Sequence, residues 1–270
     1  MKKLAFVTDM HFGPLARFEG KLRKMSHEAP ALLRGVIERL RGEAPGLLVN
    51  LGDNIEDEGR EQDLARYRSC QEILRGAGCP LVNVAGNHDT IHLNLEDLNE
   101  MWGRRGPLYH AFDHEGLHVV VLHTVERKDV DVRIDAGQLE WLRDDLARAG
   151  RDTVVLMHHS ASEQDLSDAR WFYRAPHLAL VQERAALRQI LRESGVVRAV
   201  FNGHLHRNHL DVIDGIPYIT IQSLIENLDD DAPGRPAATY ATALLDERRL
   251  IVRVHGNDPA RYQIEHTPAA

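Results

Sequence analysis

Cysteine is scarce in this chain. Two residues of 270, Cys70 and Cys79, cannot build a disulfide framework, and neither lies in a paired-cysteine zinc spacing. Both read as reduced thiols used for packing. No apolar run approaches the ~20 residues that cross a bilayer, and Asp9 interrupts "MKKLAFVTDM" too early for a signal-peptide core. The expectation is a cytoplasmic protein with no membrane partner. Positive charge is also in deficit, since 33 Lys and Arg face 41 Asp and Glu, a formal net charge of −8. That balance argues against a nucleic-acid polymer, which is held by clustered cations. A small anion is still admissible where a local cation outweighs the global field. Repeats, low-complexity tracts and linkers are missing as well, so residues 1–270 are expected to form one domain.

What is present is an alternation of short apolar runs and helical spacing. Strands are expected over 4–8, 47–51, 81–85, 153–157 and 196–201, and helices over 31–41, 64–74 and 178–193. A hairpin turns at Glu115-Gly116 and another at Asp214-Gly215. Asp135 with Gln138 three residues on has the form of a capping box. The "DDDAPGRPA" stretch, 229–237, reads as a surface loop between strands. Together these predict an α/β chain with a mixed sheet covered by helices.

Five apolar runs end in polar groups: "TDMH", "GDN", "GNHD", "MHH" and "NGHLH". Ligand sites in parallel sheets lie outside the carboxyl ends of the strands, so five such ends converge on one crevice. Asp9 and His11 are two residues apart, as are His204 and His206, and in extended chain each pair points to one side. Neighbouring Asn87 and His88 would then face different ways. Gly52, Gly86 and Gly203 precede polar groups where a tight turn or close backbone approach excludes a Cβ. The donor set of carboxylates, imidazoles and one amide, without thiolate, suits Mn, Fe or Zn. Seven candidate ligands exceed what one tetrahedral ion uses. Two ions sharing a carboxylate would employ Asp9, His11, Asp53, Asn87, His158, His204 and His206.

The order D-x-H, G-D, G-N-H-D, strand-terminal H and G-H-x-H, from Asp9 to His206, resembles the calcineurin-like metallophosphoesterases. "GNHD" and "GHLH" look like the branch that holds class III cyclic-nucleotide phosphodiesterases and glycerophosphodiesterases. The resemblance implies two mixed β-sheets packed as a sandwich and flanked by helices. It also implies two divalent or trivalent metal ions. Asp9, His11 and His206 would hold the first, Asn87, His158 and His204 the second, with Asp53 bridging and His88 facing substrate. Two cations roughly 3.5–4 Å apart lower the pKa of a water between them and clamp the phosphoryl oxygens, so hydroxide attacks in line. His88 would protonate the leaving group, with Asp89 or Asp113 orienting it. The implied enzyme is a phosphodiesterase acting on a small-molecule phosphoester. The alternatives are a manganese-dependent pyrophosphohydrolase of ADP-ribose or CDP-alcohol-type nucleotides, a phosphomonoesterase, and a non-enzymatic protein-binding scaffold.

Some residues carry weaker signals. His159 is open between supporting the ligands, touching substrate and a structural role, and His123, at the end of "VVVLHT", between touching the pocket and a structural role, the latter favoured. "RWFYR", 170–174, lies in a long connection expected to hang over the site. Its Trp171 and Tyr173 join Asn87, His88 and His159 as candidate substrate contacts, while anchoring the loop or a homo-oligomer contact explains the aromatics equally well. Arg17, Lys21, Arg23 and Lys24, downstream of Asp9, form a basic segment near the mouth of the site, which a solvated helix face explains equally well.

Overall fold

The alternation read from the sequence builds two six-stranded sheets in the computed structural model, which describes residues 1–229 and 231–266. Asp230, inside the expected 229–237 loop, and the last four residues of the expected 1–270 domain lie outside the described residues. In chain order the elements are β1 (Lys2–Val7), α1 (Ala29–Glu43), β2 (Leu47–Asn50), α2 (Arg60–Arg75), β3 (Leu81–Asn83) and α3 (Leu95–Trp102). Then come β4 (His110–His114), β5 (Leu117–Val121), β6 (Val125–Arg127), β7 (Asp131–Arg133), α4 (Ala136–Ala149), β8 (Thr153–Leu156), α5 (Arg184–Ser194) and β9 (Val197–Asn202). The chain ends in β10 (His209–Ile213), β11 (Ile216–Thr220), β12 (Tyr240–Leu245), β13 (Arg249–His255) and β14 (Ala260–Glu265).

One sheet runs β14-β13-β12-β1-β2-β3 and the other β10-β11-β9-β8-β5-β4, each mixed, with β6 and β7 forming a separate pair. β1, β2 and β3 are mutually parallel, as are β5, β8 and β9, so their carboxyl ends gather at one edge. The sheets face each other across an apolar layer where Phe6 stacks on Phe201 at 4.3 Å, among Val49, Leu51, Val119, Leu156 and Ile219. Outside one sheet, Leu33, Ile37, Leu40 and Leu74 of α1 and α2 close a second layer. Outside the other, Leu142, Leu146, Leu187 and Ile190 of α4 and α5 close a third. Strands covered on both faces are apolar throughout rather than alternating, which is why "LLVN" and "TVVL" are buried at every position. The architecture is the helix-flanked sandwich that the resemblance implies.

Both hairpin turns fall where the Glu-Gly and Asp-Gly pairs require them. Glu115 and Gly116 have φ of 49° and 74°, Asp214 and Gly215 52° and 79°, as a type I′ loop demands.

Two local expectations are corrected. α5 starts at Arg184, not 178, because the preceding backbone is used elsewhere: Val181 N donates to Ser160 O at 3.0 Å and Gln182 N to Val132 O at 2.9 Å. Asp135 does cap α4, accepting from Gly137 N and Gln138 N, but Gln138 does not return to the cap. Its side-chain amide instead clamps both backbone groups of His123, at 2.8 and 2.7 Å. α3, the β6–β7 pair and β14 are elements the periodicity did not announce. α3 nonetheless carries a full capping box between Asn94 and Asp97. Among the described residues, no helix is long and apolar enough to cross a membrane.

Candidate metal centre

The five polar strand ends meet at one edge of the sandwich. β1 delivers Asp9 and His11, β2 Asp53, β3 Asn87 and His88, β8 His158 and His159, and β9 His204 and His206. The chain does not leave these strands extended, as the two-residue spacings had implied. Asp9, His11, Asp53, His204 and His206 all have positive φ, between 41° and 66°. His88 opens a 3-10 turn, His88–Thr90. Left-handed backbone at non-glycine residues costs on the order of 1–3 kcal/mol each, and here it is concentrated where polar side chains must turn into the crevice. Close approach excludes side chains at the glycines. A Cβ on Gly86 would sit 2.1 Å from Asp53 Oδ1, and one on Gly203 2.0 Å from Thr8 Oγ1.

Two groups of donors result. Asp9, His11 and His206 bring ligand atoms within 4.8 Å of one another, as do His158, His159 and His204. Asn87 Oδ1 lies 3.1 Å from His158 Nε2. Asp53 stands between the groups, its Oδ2 3.6 Å from His11 Nε2 and 3.3 Å from His158 Nε2. The histidines are oriented by their other nitrogen. His11 Nδ1 faces Glu56 Oε2 at 3.0 Å, His158 Nδ1 faces Leu51 O at 2.8 Å, and His206 Nδ1 faces Glu226 Oε2 at 2.7 Å. His204 reverses the pattern, with Nε2 on Leu178 O at 2.9 Å. Carbonyls and carboxylates only accept, so each of these nitrogens carries the proton and the opposite one turns inward. This is the arrangement that prepares imidazole for a cation.

The charge balance points the same way. Burial pushes the Asp9 carboxyl up, but the hydrogen bond and charge of His206 hold it at about 2. Asp53 also sits well below the usual range, held against its burial chiefly by His158. Burial disfavours charge on His158, yet Asp53 and Asp9 push it up to about 10; Asp9 and Glu226 likewise take His206 to about 9. Burial and the Lys24 charge lower His11 to about 4, and burial with the His158 charge lowers His204 to about 3. Two buried protons thus stand in for positive charge that the carboxylates demand. Divalent cations fit this donor set, since they replace those protons and meet only neutral imidazole, carboxylate and amide.

Around the centre, Asp57 was not announced by the sequence, and other residues serve roles different from those expected. His88 Nδ1 is bonded to Asp57, which corrects the expectation that Asp89 or Asp113 orients it. Asp89 is instead a buried clamp, accepting from Asp53 N, Asn54 N, Asn54 Nδ2 and Gly86 N and so tying the β2 and β3 ends together. Burial and the Asp53 charge raise its carboxyl to about 6. Asp113 pairs with His118 and Arg151 elsewhere on the fold. Lys24, read as one of a basic segment, is buried with its ammonium 3.0 Å from Glu56.

A cavity of ≈ 240 Å³ opens over the centre, lined by Asp53, Asn87, His88, His204 and His206 with Phe18, Lys24, Trp171 and Phe172. Trp171 is at this wall. Tyr173 is not brought there: it is exposed and stacked under Arg174. His159 is buried beside His204, its Nδ1 on Thr124 Oγ1 at 2.8 Å and its Nε2 without a hydrogen bond, 3.9 Å from Glu126 Oε2. His123 is fixed by Gln138 through its backbone.

Comparison with known proteins identifies the lineage. The calcineurin-like phosphoesterase family matches residues 2–208. The chain belongs to this family. It is accordingly a metal-dependent phosphoester hydrolase. It is 28% identical over 212 residues to a probable cyclic nucleotide phosphodiesterase of Synechococcus sp., covering 76% of this chain and 73% of the relative. It is 30% identical over 194 residues to a cAMP/cGMP dual specificity phosphodiesterase of Mycobacterium tuberculosis, covering 70% of this chain and 58% of that one. A dimetal phosphatase from Danio rerio shares the fold over 98% of this chain and 99% of its own, with TM-score 0.79 and 16% identity.

Proposed function

We propose that the chain is a dinuclear phosphodiesterase acting on a small soluble diester, with cyclic nucleotides as the first class to test. The observation that carries this reading is a single carboxylate oxygen, Asp53 Oδ2, placed 3.6 Å from His11 and 3.3 Å from His158, one in each donor group. Asp9, His11 and His206 would hold one ion, Asn87, His158 and His204 the other, and Asp53 both. Manganese, iron and zinc suit these donors. When bound, such ions supply Lewis acidity toward phosphoryl oxygens and lower the pKa of water.

The remaining chemistry belongs to the side chains. His88 lines the cavity with Nδ1 tied to Asp57, which leaves Nε2 toward substrate. Burial disfavours charge on this ring, but the Asp53 charge and the Asp57 hydrogen bond outweigh it and raise its pKa. A protonated Nε2 can give its proton to the leaving alkoxide, a role worth about 10²–10⁴-fold. The phosphodiesterase names of the two relatives support the diester preference.

The test is hydrolysis of bis-p-nitrophenyl phosphate against p-nitrophenyl phosphate after reconstitution with Mn, Fe, Co or Zn, followed by cyclic AMP, a glycerophosphodiester and ADP-ribose. Faster turnover of the diester supports the reading. A preference for the monoester or for ADP-ribose replaces it, and inactivity under every metal points to a binding scaffold.

A further inference from the structure

Glu226 does more than accept from His206. It is buried, and its Oε2 takes both the His206 Nδ1 proton, at 2.7 Å, and the Trp171 indole N–H, at 3.0 Å. Its Oε1 accepts from Arg170 at 2.8 Å, and Arg170 also donates to Asn227 O. A second carboxylate, on His11, is linked to the same indole through Lys24. Glu56 holds His11 Nδ1 and Lys24, and the Lys24 ammonium lies 5.2 Å from the Trp171 ring centre. Phe18 meets the indole edge-on at 5.2 Å and His206 meets it at 5.7 Å. The polar contacts of Trp171 with Glu226 and Lys24 therefore lead to the groups that orient His206 and His11, and its ring touches His206 itself. The segment that carries Trp171 also supplies Leu178 O to His204.

We propose that Trp171 and Glu226 are positioning residues for the first ion, coupling the seating of segment 160–178 to occupancy of the Asp9–His11–His206 group. This rests on the reading that these three residues hold a metal. The physical basis is tautomer control. As long as Glu226 accepts from Nδ1, one ring proton stays there, so the proton that His206 gives up to a cation is the one on Nε2, whose lone pair then faces the ion. A neutral amide at 226 could donate to Nδ1 instead and place the ring proton on Nε2, where it blocks ligation. Coupling is reciprocal: if a seated segment favours the ion, the ion favours the seated segment by the same factor.

The experiment measures metal binding and segment opening rather than turnover. Full-length wild type, E226Q and W171F are titrated with Mn(II) by equilibrium dialysis and elemental analysis. Each is then exposed to trypsin, which cuts after Arg170 and Arg174, with and without Mn(II). The expected wild-type result is two ions per chain and slower cleavage in their presence. E226Q should weaken one ion by about 10–100-fold while sparing the other, and lose the protection. W171F keeps an aromatic ring against Phe18 but lacks the N–H, so it should weaken the same ion by several-fold, and it carries the test if E226Q does not fold. Selective loss of one ion is what a merely structural role would not produce. Two wild-type affinities and unchanged protection in the folded variants would overturn the coupling while leaving the dinuclear reading intact. Fewer than two ions in wild type would overturn the dinuclear reading first, and the coupling with it.

Discussion

Gly86→Ala is the most informative single change at the centre, because it adds one methyl and no charge. The new Cβ would lie 2.1 Å from Asp53 Oδ1, 2.4 Å from Asp53 N and 2.8 Å from Asp53 Cγ, all inside the 3.0 Å that Cβ atoms keep. Relief requires a shift of about 1 Å, and the atoms that must move are the backbone and carboxylate of the residue between the two donor groups. Asp53 cannot yield easily, since its N–H is held by Asp89 and its Oδ1 accepts from His88 N. Overpacking of this kind costs about 1–3 kcal/mol. A 1 Å misplacement at the reacting centre costs on the order of 10²-fold in rate. The variant should therefore melt slightly below wild type, bind less metal and lose about two orders of magnitude in diester turnover. Gly35→Ala is the control. Gly35 is in α1, and a Cβ there would meet nothing within 4 Å, so alanine should be neutral or stabilise by about 0.5–1 kcal/mol. Thermal melts, elemental analysis and turnover decide the matter. Wild-type metal content and turnover in Gly86→Ala would refute the claim that Asp53 is confined by this glycine.

Other outcomes follow from the same geometry. His158 and His206, near 10 and 9, must each lose a proton to take a cation, whereas His11 and His204, near 4 and 3, are already neutral at neutral pH. Metal uptake should thus release about two imidazole protons per chain, and apparent affinity should rise with pH from 7 to about 9; calorimetry in two buffers of different ionisation enthalpy reads this, and uptake without proton release would contradict it. Asp57→Asn should slow diesters with poor leaving groups by about 10–100-fold while barely touching nitrophenyl esters, and Asp113→Asn should stay within about twofold on both; equal losses for Asp57→Asn on the two substrates would remove His88 as the acid. Asp53→Ala should lower metal content and turnover together, and unchanged turnover would sink the bridging assignment. Phe201→Ala, which empties half of the stacked pair between the sheets, should cost about 3–5 kcal/mol in urea unfolding with the donor set intact.

Much of this was readable along the chain because it is local. Strand-length apolar runs, the turn pairs Glu115-Gly116 and Asp214-Gly215, and polar clusters after Val7, Asn50, Asn83, Leu156 and Asn202 are each decided within a few residues. Parallel strands then bring their carboxyl ends together, so the order of residues along the chain already places Asp9, Asp53, Asn87, His158 and His204 in one crevice. The residues that orient them are not legible in this way. Asp57 reaches His88 across 31 positions and Glu226 reaches His206 across 20, and nothing in either carboxylate's neighbourhood marks it out from the other acidic residues. For Lys24 the sequence leaves a place near the site mouth and a solvated face equally open, and packing decides it by burying the side chain against Trp171. Left-handed backbone at His11 and His206 likewise contradicts the extended geometry that their spacing had implied. Periodicity and turn chemistry depend on neighbours in sequence. Hydrogen-bond partners, tautomers and charge balance depend on neighbours in space, and only the packed sandwich selects those.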